Sequence, residues 1–171
     1  MGEQGTLNSQ VAGSMPVMST TGWGKMNTVS VGDIGEAMAI ADFTKAGFGV
    51  SKPLSDNLRY DLIVDINNIL YRVQVKTTSV IKDEKMVLST KTTNYVKGKY
   101  SSNAYSSDEV DIFYLYHLEN DWRGLYIIEK GETIPTEMGM RFTPPKNGQT
   151  KGIKMAVDFE FSNQIKKLKE I

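Results

Sequence analysis

At 171 residues, 40% hydrophobic and 23% charged, the chain has the size and composition of one globular domain that buries a core without cross-links. It has no cysteine and one histidine, His117, which excludes disulfides, thiolate chemistry, cysteine-bound zinc and any scheme needing two imidazoles, and weighs against a zinc hydrolase. Net charge is zero, no segment approaches the roughly 18 apolar residues of a membrane span, and no basic-then-apolar leader opens the chain, so no membrane partner and a cytoplasmic address are expected.

Residues 1–27 are rich in Gly, Ser, Thr, Asn and Gln without apolar periodicity and read as a flexible N-terminal arm; residues 28–171 then make a single domain. Residues 30–47 have a helical pattern, with Ser30 or Asp33 as its cap and Gly47 as its stop. Residues 62–66 and 69–76 read as two strands joined by Asn67 and Asn68, residue types that tolerate the positive φ of a tight hairpin turn. The polar stretch 77–109 carries no clear pattern. Strong strand signals return at 110–117 (VDIFYLYH) and 124–129 (GLYIIE). In 153–161, strict alternation of Ile153, Met155, Val157, Phe159 and Phe161 predicts one more strand. Ser162 then caps a short terminal helix with Ile165, Leu168 and Ile171 on one side. This order implies an α/β (α+β) domain around a mixed sheet.

Charge is unevenly spread. Residues 72–100 hold seven basic residues against two acids, 108–137 hold eight acids against two basic residues, and 146–171 hold six lysines against three acids. A neutral molecule so divided is able to turn a basic face to phosphates, although ordinary surface charge accounts for it equally well.

The hairpin carries the chemistry. With Asn67 and Asn68 as its loop, Leu62 faces Val73, Val64 faces Tyr71 and Ile66 faces Ile69, all on one apolar side. Asp61 faces Gln74 on the other side, with opposed Cβ atoms about 5 Å apart. Lys76 projects from that same face, two residues beyond Gln74. The apolar face fixes the register, because a slip of one residue would bury Asp61 and Gln74. A hard cation such as Mg²⁺ takes oxygen ligands of this kind: the Asp61 carboxylate, the Gln74 amide oxygen and the Val75 carbonyl. Lys76 is then placed to offset charge developing on a phosphoryl group. Glu36 is a fourth candidate. It shares the i, i+4, i+7 stripe of Ile40 and Phe43, where a carboxylate is costly unless paired or metal-bound. It equally fits a capping box with Asp33.

GDIGEA (32–37), KAGFGVSKPL (45–54) and RYDLIVDINNILYRVQVKTTS (59–79) together resemble the PD-(D/E)XK nuclease superfamily. Within it they are most similar to group I intron-encoded homing endonucleases and phage relatives whose motif reads D…QVK in place of D…EVK. The resemblance implies that Glu36, Asp61, Gln74 and Lys76 are the active-site residues. It further implies a restriction-endonuclease-like core, a central mixed β-sheet flanked by helices, Mg²⁺ dependence (with Mn²⁺ able to substitute), double-stranded DNA as substrate, a homodimer or homotetramer, and a host cytoplasm if the gene is a phage's. Gln74 departs from the usual acid at its position; one negative charge fewer weakens metal binding and gives Glu36 more to do. A restriction-like nuclease and a junction-resolving phage nuclease share this site chemistry. A non-cleaving DNA-binding module on the same fold has no need of the intact acid, amide and lysine. An RNA or small-molecule enzyme using the same pocket is a further reading.

Two weaker features complete the reading. Tyr95, Tyr100 and Tyr105 are interleaved with Lys91, Lys97 and Lys99, which fits a DNA-contacting loop (Lys91, Lys97, Lys99 and Tyr100 as its contacts) or a plain loop. His117 closes an apolar strand and reads as a rim residue.

Overall fold

A computed structural model describes residues 27–170 except Asp56 and Lys97. The arm expected at the N-terminus, Asn27 apart, and the predicted contact Lys97 lie outside the described residues. In chain order the elements are α1 (Thr28–Lys45), β1 (Gly49–Ser51), β2 (Leu62–Ile66), β3 (Ile69–Thr78), β4 (Ile81–Lys82), β5 (Lys85–Ser89), β6 (Lys91–Val96), β7 (Lys99–Ala104), β8 (Ile112–His117), β9 (Trp122–Ile127), β10 (Glu137–Arg141), a 3-10 turn (Ala156–Phe159) and α2 (Phe161–Lys169).

Helix α1 starts earlier than its sequence pattern suggests. Asn27 is the cap, its side chain accepting from the Ser30 N–H at 2.8 Å, which satisfies one of the helix's unpaired amides. Asp33 consequently lies inside the helix, and no capping box holds Glu36. At the other end the chain turns at Gly47, where φ is 90°.

The central sheet has strand order β1-β2-β3-β8-β9; β3 and β8 are parallel and the other neighbours antiparallel. It is the expected mixed sheet. Asn67 and Asn68 take φ values of 54° and 65°, and the hairpin pairs Leu62 with Val73, Val64 with Tyr71 and Ile66 with Ile69, the register required by its apolar face. Both sides of the sheet are covered, each in its own way. Leu62, Val64, Val73, Ile112 and Tyr114 pack beneath Ala39 and Phe43 of α1 and Ile165 and Leu168 of α2. Phe113, Leu115 and Tyr126 pack instead against Met86 and Leu88 of β5 and Met138 and Met140 of β10. Helices therefore flank one face, and a second, three-stranded sheet (β10-β5-β4) covers the other. Its strands come partly from the polar stretch that showed no pattern.

Three further expectations fail. Residues 153–161 do not form a strand. Phe159 packs with the β5 and β10 side of the core and Phe161 with the helix side, so the segment crosses the edge of β9 and needs the 3-10 turn to do so. Of the alternating apolar residues, Phe159 and Phe161 serve two different cores and Val157 is exposed. Gly124 permits the crossing, because a Cβ there would lie 2.8 Å from the Phe159 carbonyl. Helix α2 then starts at Phe161 with Glu160 as its cap, one position before Ser162. His117 is no rim residue: it is fully buried, its Nδ1 accepts from the Asn120 N–H at 3.2 Å, and its ring packs against Phe142. Burial holds its pKa below the usual histidine value. Among the described residues no helix is long and apolar enough to cross a membrane.

Candidate active site

The site lies where β2 ends and β3 runs on beside β8. The Asp61 N–H donates to the Val73 carbonyl at 2.9 Å, so Asp61 and Leu62 both face Val73, as in a β-bulge that ends the regular pairing. The Asp61 carboxylate thereby meets Gln74, whose Nε2 donates to Asp61 Oδ2 at 2.5 Å, while the Val75 N–H donates to the same oxygen at 2.8 Å. Burial raises the Asp61 pKa, and the nearby Glu36 charge adds to the rise. The Val75 N–H, the Lys76 charge and the Gln74 amide oppose it without cancelling it. A buried carboxylate short of positive charge is a ready cation ligand.

Lys76 follows on the same face. Its Nζ lies 3.1 Å from the Tyr105 hydroxyl, 3.5 Å from the Lys91 carbonyl and 4.8 Å from the centre of the Tyr105 ring. Burial brings its pKa down to about 8, with Asp61 opposing the fall and Arg59 adding to it. Burial also pushes the Tyr105 hydroxyl up to about 12, so it acts as a neutral hydrogen-bonding group.

Glu36 arrives from α1 because the helix presses unusually close to β3. A Cβ on Gly35 would lie 1.8 Å from Thr77 Oγ1 and 3.2 Å from Val75 Cγ1, so only glycine lets this turn of helix rest on the strand. The next residue, Glu36, is then carried to the mouth of the site. There it pairs with Lys52, Nζ to Oε2 at 2.6 Å, and this contact raises the Lys52 pKa. A cavity of about 460 Å³ is lined by Glu36, Asp61, Gln74, Val75 and Lys76 together. Glu36, Asp61, Gln74 and Lys76, the four residues expected to act through their side chains, thus share one cavity with Val75.

The remaining expected contacts that are described belong to a different element, with only the Lys91 carbonyl reaching Lys76. Lys91 opens β6, and Lys99 and Tyr100 lie on β7, in a two-stranded ribbon separate from the central sheet. Tyr105 is only 5% exposed and is no surface contact; it belongs beside Lys76. Sequence reasoning missed Arg59, Lys52 and Tyr105 as members of the site. Arg59 stands within the Arg-Tyr-Asp triplet, but its partners Thr92, Ala104 and Glu109 are more than thirty residues away, and no local pattern announces them.

Among the described residues no group of three or more histidine, aspartate or glutamate ligands occurs. The oxygen donors are two carboxylates and the Val75 carbonyl, joined by Gln74 once its amide turns over from the arrangement in which Nε2 faces Asp61 and the Val75 carbonyl. Lys52 shows that a cation is already favoured beside Glu36. These donors fit a divalent ion of the Mg²⁺ type better than zinc.

A mixed sheet thus gathers an acid pair, an amide and a lysine around one cavity at the open end of the hairpin. The family model for PD-(D/E)XK endonucleases matches residues 26–162, and the chain belongs to that family. It is also similar in structure to a bacterial homing endonuclease, I-Ssp6803I, with a TM-score of 0.67 and 24% identity over 82% of this chain and 93% of that one. At that identity the likeness shows the fold. No curated protein sequence matches the chain.

Proposed function

We propose that this nuclease is a Mg²⁺-dependent endonuclease that hydrolyses phosphodiester bonds in double-stranded DNA, acting as a homing-type enzyme. The observation that carries the reading is the convergence of Glu36, Asp61, Gln74 and Lys76 on one cavity. The Glu36 and Asp61 carboxylates, the Gln74 amide oxygen and the Val75 carbonyl would hold the ion. Mg²⁺, or Mn²⁺ in its place, supplies Lewis-acid charge to the phosphoryl group when bound. Asp61 is fixed by the Val75 N–H, so its carboxylate need not reorganise. Lys76 presents its ammonium to the charge that develops on the phosphate, and Tyr105 holds that ammonium in place. Lys91, Lys97, Lys99 and Tyr100 supply contacts to the DNA backbone. The homing role is supported by the similar fold of the bacterial homing endonuclease. A cut through both strands calls for two sites, and hence for a homodimer or homotetramer.

The test is nicking and linearisation of supercoiled plasmid with and without Mg²⁺. Cleavage should require the metal and stop with a chelator. Lys76→Ala should slow single-turnover cleavage by at least about a hundredfold while gel-shift affinity for DNA holds. Asp61→Asn should abolish cutting through loss of the metal, with partial rescue by excess Mg²⁺. Undiminished cleavage by Lys76→Ala would end the proposal.

A further inference from the structure

Strand β7 is exposed along all six of its residues, and its strand partner is β6. A two-stranded ribbon is marginal by itself, so its base must be fastened. The Arg59 guanidinium donates to Thr92 Oγ1 on β6 and to the Ala104 carbonyl on β7, each at 2.6 Å. It also lies 4.3 Å over the Tyr105 ring and pairs with Glu109 at 3.1 Å. Lys76 touches both ends of this base, through the Lys91 carbonyl and the Tyr105 hydroxyl. The ribbon therefore springs from beside the active-site lysine and projects its outer part into solvent.

Its chemistry narrows what it meets there. Residues 85–107 contain Lys85, Lys91, Lys97 and Lys99 and no acid, so the ribbon suits a polyanion. Cross-strand pairing sets Thr93 opposite Ser102 on one face and Thr92 opposite Asn103 on the other. The exposed side chains Thr93, Ser101, Ser102 and Asn103 are hydroxyls and an amide that both donate and accept hydrogen bonds. Such groups suit base edges better than the apolar centre of a protein interface. The major groove of B-DNA admits a two-stranded ribbon. A six-residue strand is about 20 Å long, which covers about six base pairs.

We propose that the β6–β7 ribbon enters the major groove of duplex DNA next to the cleaved phosphates and reads sequence with Ser101 and Asn103, while Lys99, on the same face of β7, grips the backbone. This rests on the nuclease reading of the cavity and gives that site its source of specificity.

The test uses the full chain carrying Lys76→Ala, so that DNA is bound and not cut, and selects binding sites from a randomised duplex pool. The parent should enrich a preferred sequence. Adding Ser101→Ala and Asn103→Ala, which gives a triple variant, should flatten the preference at least about tenfold over neighbouring base pairs, within about six of the cut position mapped with wild-type protein, leaving affinity for random DNA and its salt dependence in place. Lys99→Ala should instead weaken binding to all sequences alike and reduce the salt slope by about one. The inference is overturned if the triple variant keeps the parent's preference, if it loses affinity for every sequence equally, or if A-form duplex RNA binds as tightly as DNA. It is equally overturned if sedimentation shows that the triple variant has lost a dimer present in the parent, which would make the ribbon a contact between copies. The plasmid assay separates the two proposals: metal-dependent nicking without a ribbon-dependent preference removes this inference alone, and a ribbon-dependent preference without nicking removes the nuclease mechanism alone.

Discussion

Strands β7 and β8 are each six residues long and adjacent in the chain, and they differ in every position. β8, IFYLYH, is buried from end to end; β7, KYSSNA, is exposed from end to end. β8 lies between β3 and β9, with helices over one face and a small sheet over the other, so each of its side chains contributes to stability. β7 leans on β6 and is tied to the body by Arg59 at its base. The active site lies between them, for Lys76 pairs in register with Leu115 of β8 and touches Tyr105 at the end of the ribbon. The domain thus separates the residues that hold it together from those that face outward, and sets its charged cluster at the seam. Buried strands with both faces apolar are rigid supports for a site; an exposed polar ribbon is free to be shaped by what it binds.

Substitutions sharpen the contrast. The largest effect is expected in β8. Phe113→Ala should cost about 3–5 kcal/mol in denaturant unfolding, because both Tyr105 and the β5–β10 sheet pack on that ring. A loss under about 1 kcal/mol would mean that β8 is not the support described. At the seam the sign reverses. Burial holds the Lys76 pKa near 8, below its ordinary value, so the unfolded chain binds that proton more readily and the charge weakens the fold below about pH 8. Lys76→Met should abolish cleavage yet raise Tm by about 3–6 °C in metal-free buffer at pH 7. The stability difference between the two proteins should shrink as pH rises from about 8 toward 10.5, where wild-type Lys76 is neutral in the folded state. A difference that stays flat across that window would show that burial of the charge is not its cause.

Arg59→Ala should act locally, raising amide exchange across residues 91–104 by about tenfold or more while protection in β8 holds. Equal loosening of both strands would contradict a ribbon tied mainly at its base. The smallest effect is expected in β7, where Ser102→Ala should change stability by no more than about 0.5 kcal/mol, read by the same denaturant unfolding.

The sequence by itself determined the hairpin and its register. Asn-Asn specifies the turn, and period-2 burial leaves one way to place Leu62, Val64, Val73 and Val75 inside, which brings Asp61 to Gln74 and sets Lys76 on their face. It also determined that a helix precedes the hairpin and that the 110–117 segment is a buried strand. These are short-range matters, governed by local dihedral preference and side-chain alternation. Tertiary structure decided the rest. The start of α1 turned on a single side-chain bond from Asn27. Glu36 gained its place through Gly35 pressing on Thr77, a contact across forty residues. The alternating apolar residues of 153–161 resemble a strand, yet Phe159 and Phe161 serve cores on opposite sides of the sheet and Val157 is exposed. His117 is buried by Phe142, and Arg59 and Tyr105 join Lys76 only after the ribbon folds back. Each of these depends on which surfaces meet, and periodicity along the chain carries no record of the surface on the other side.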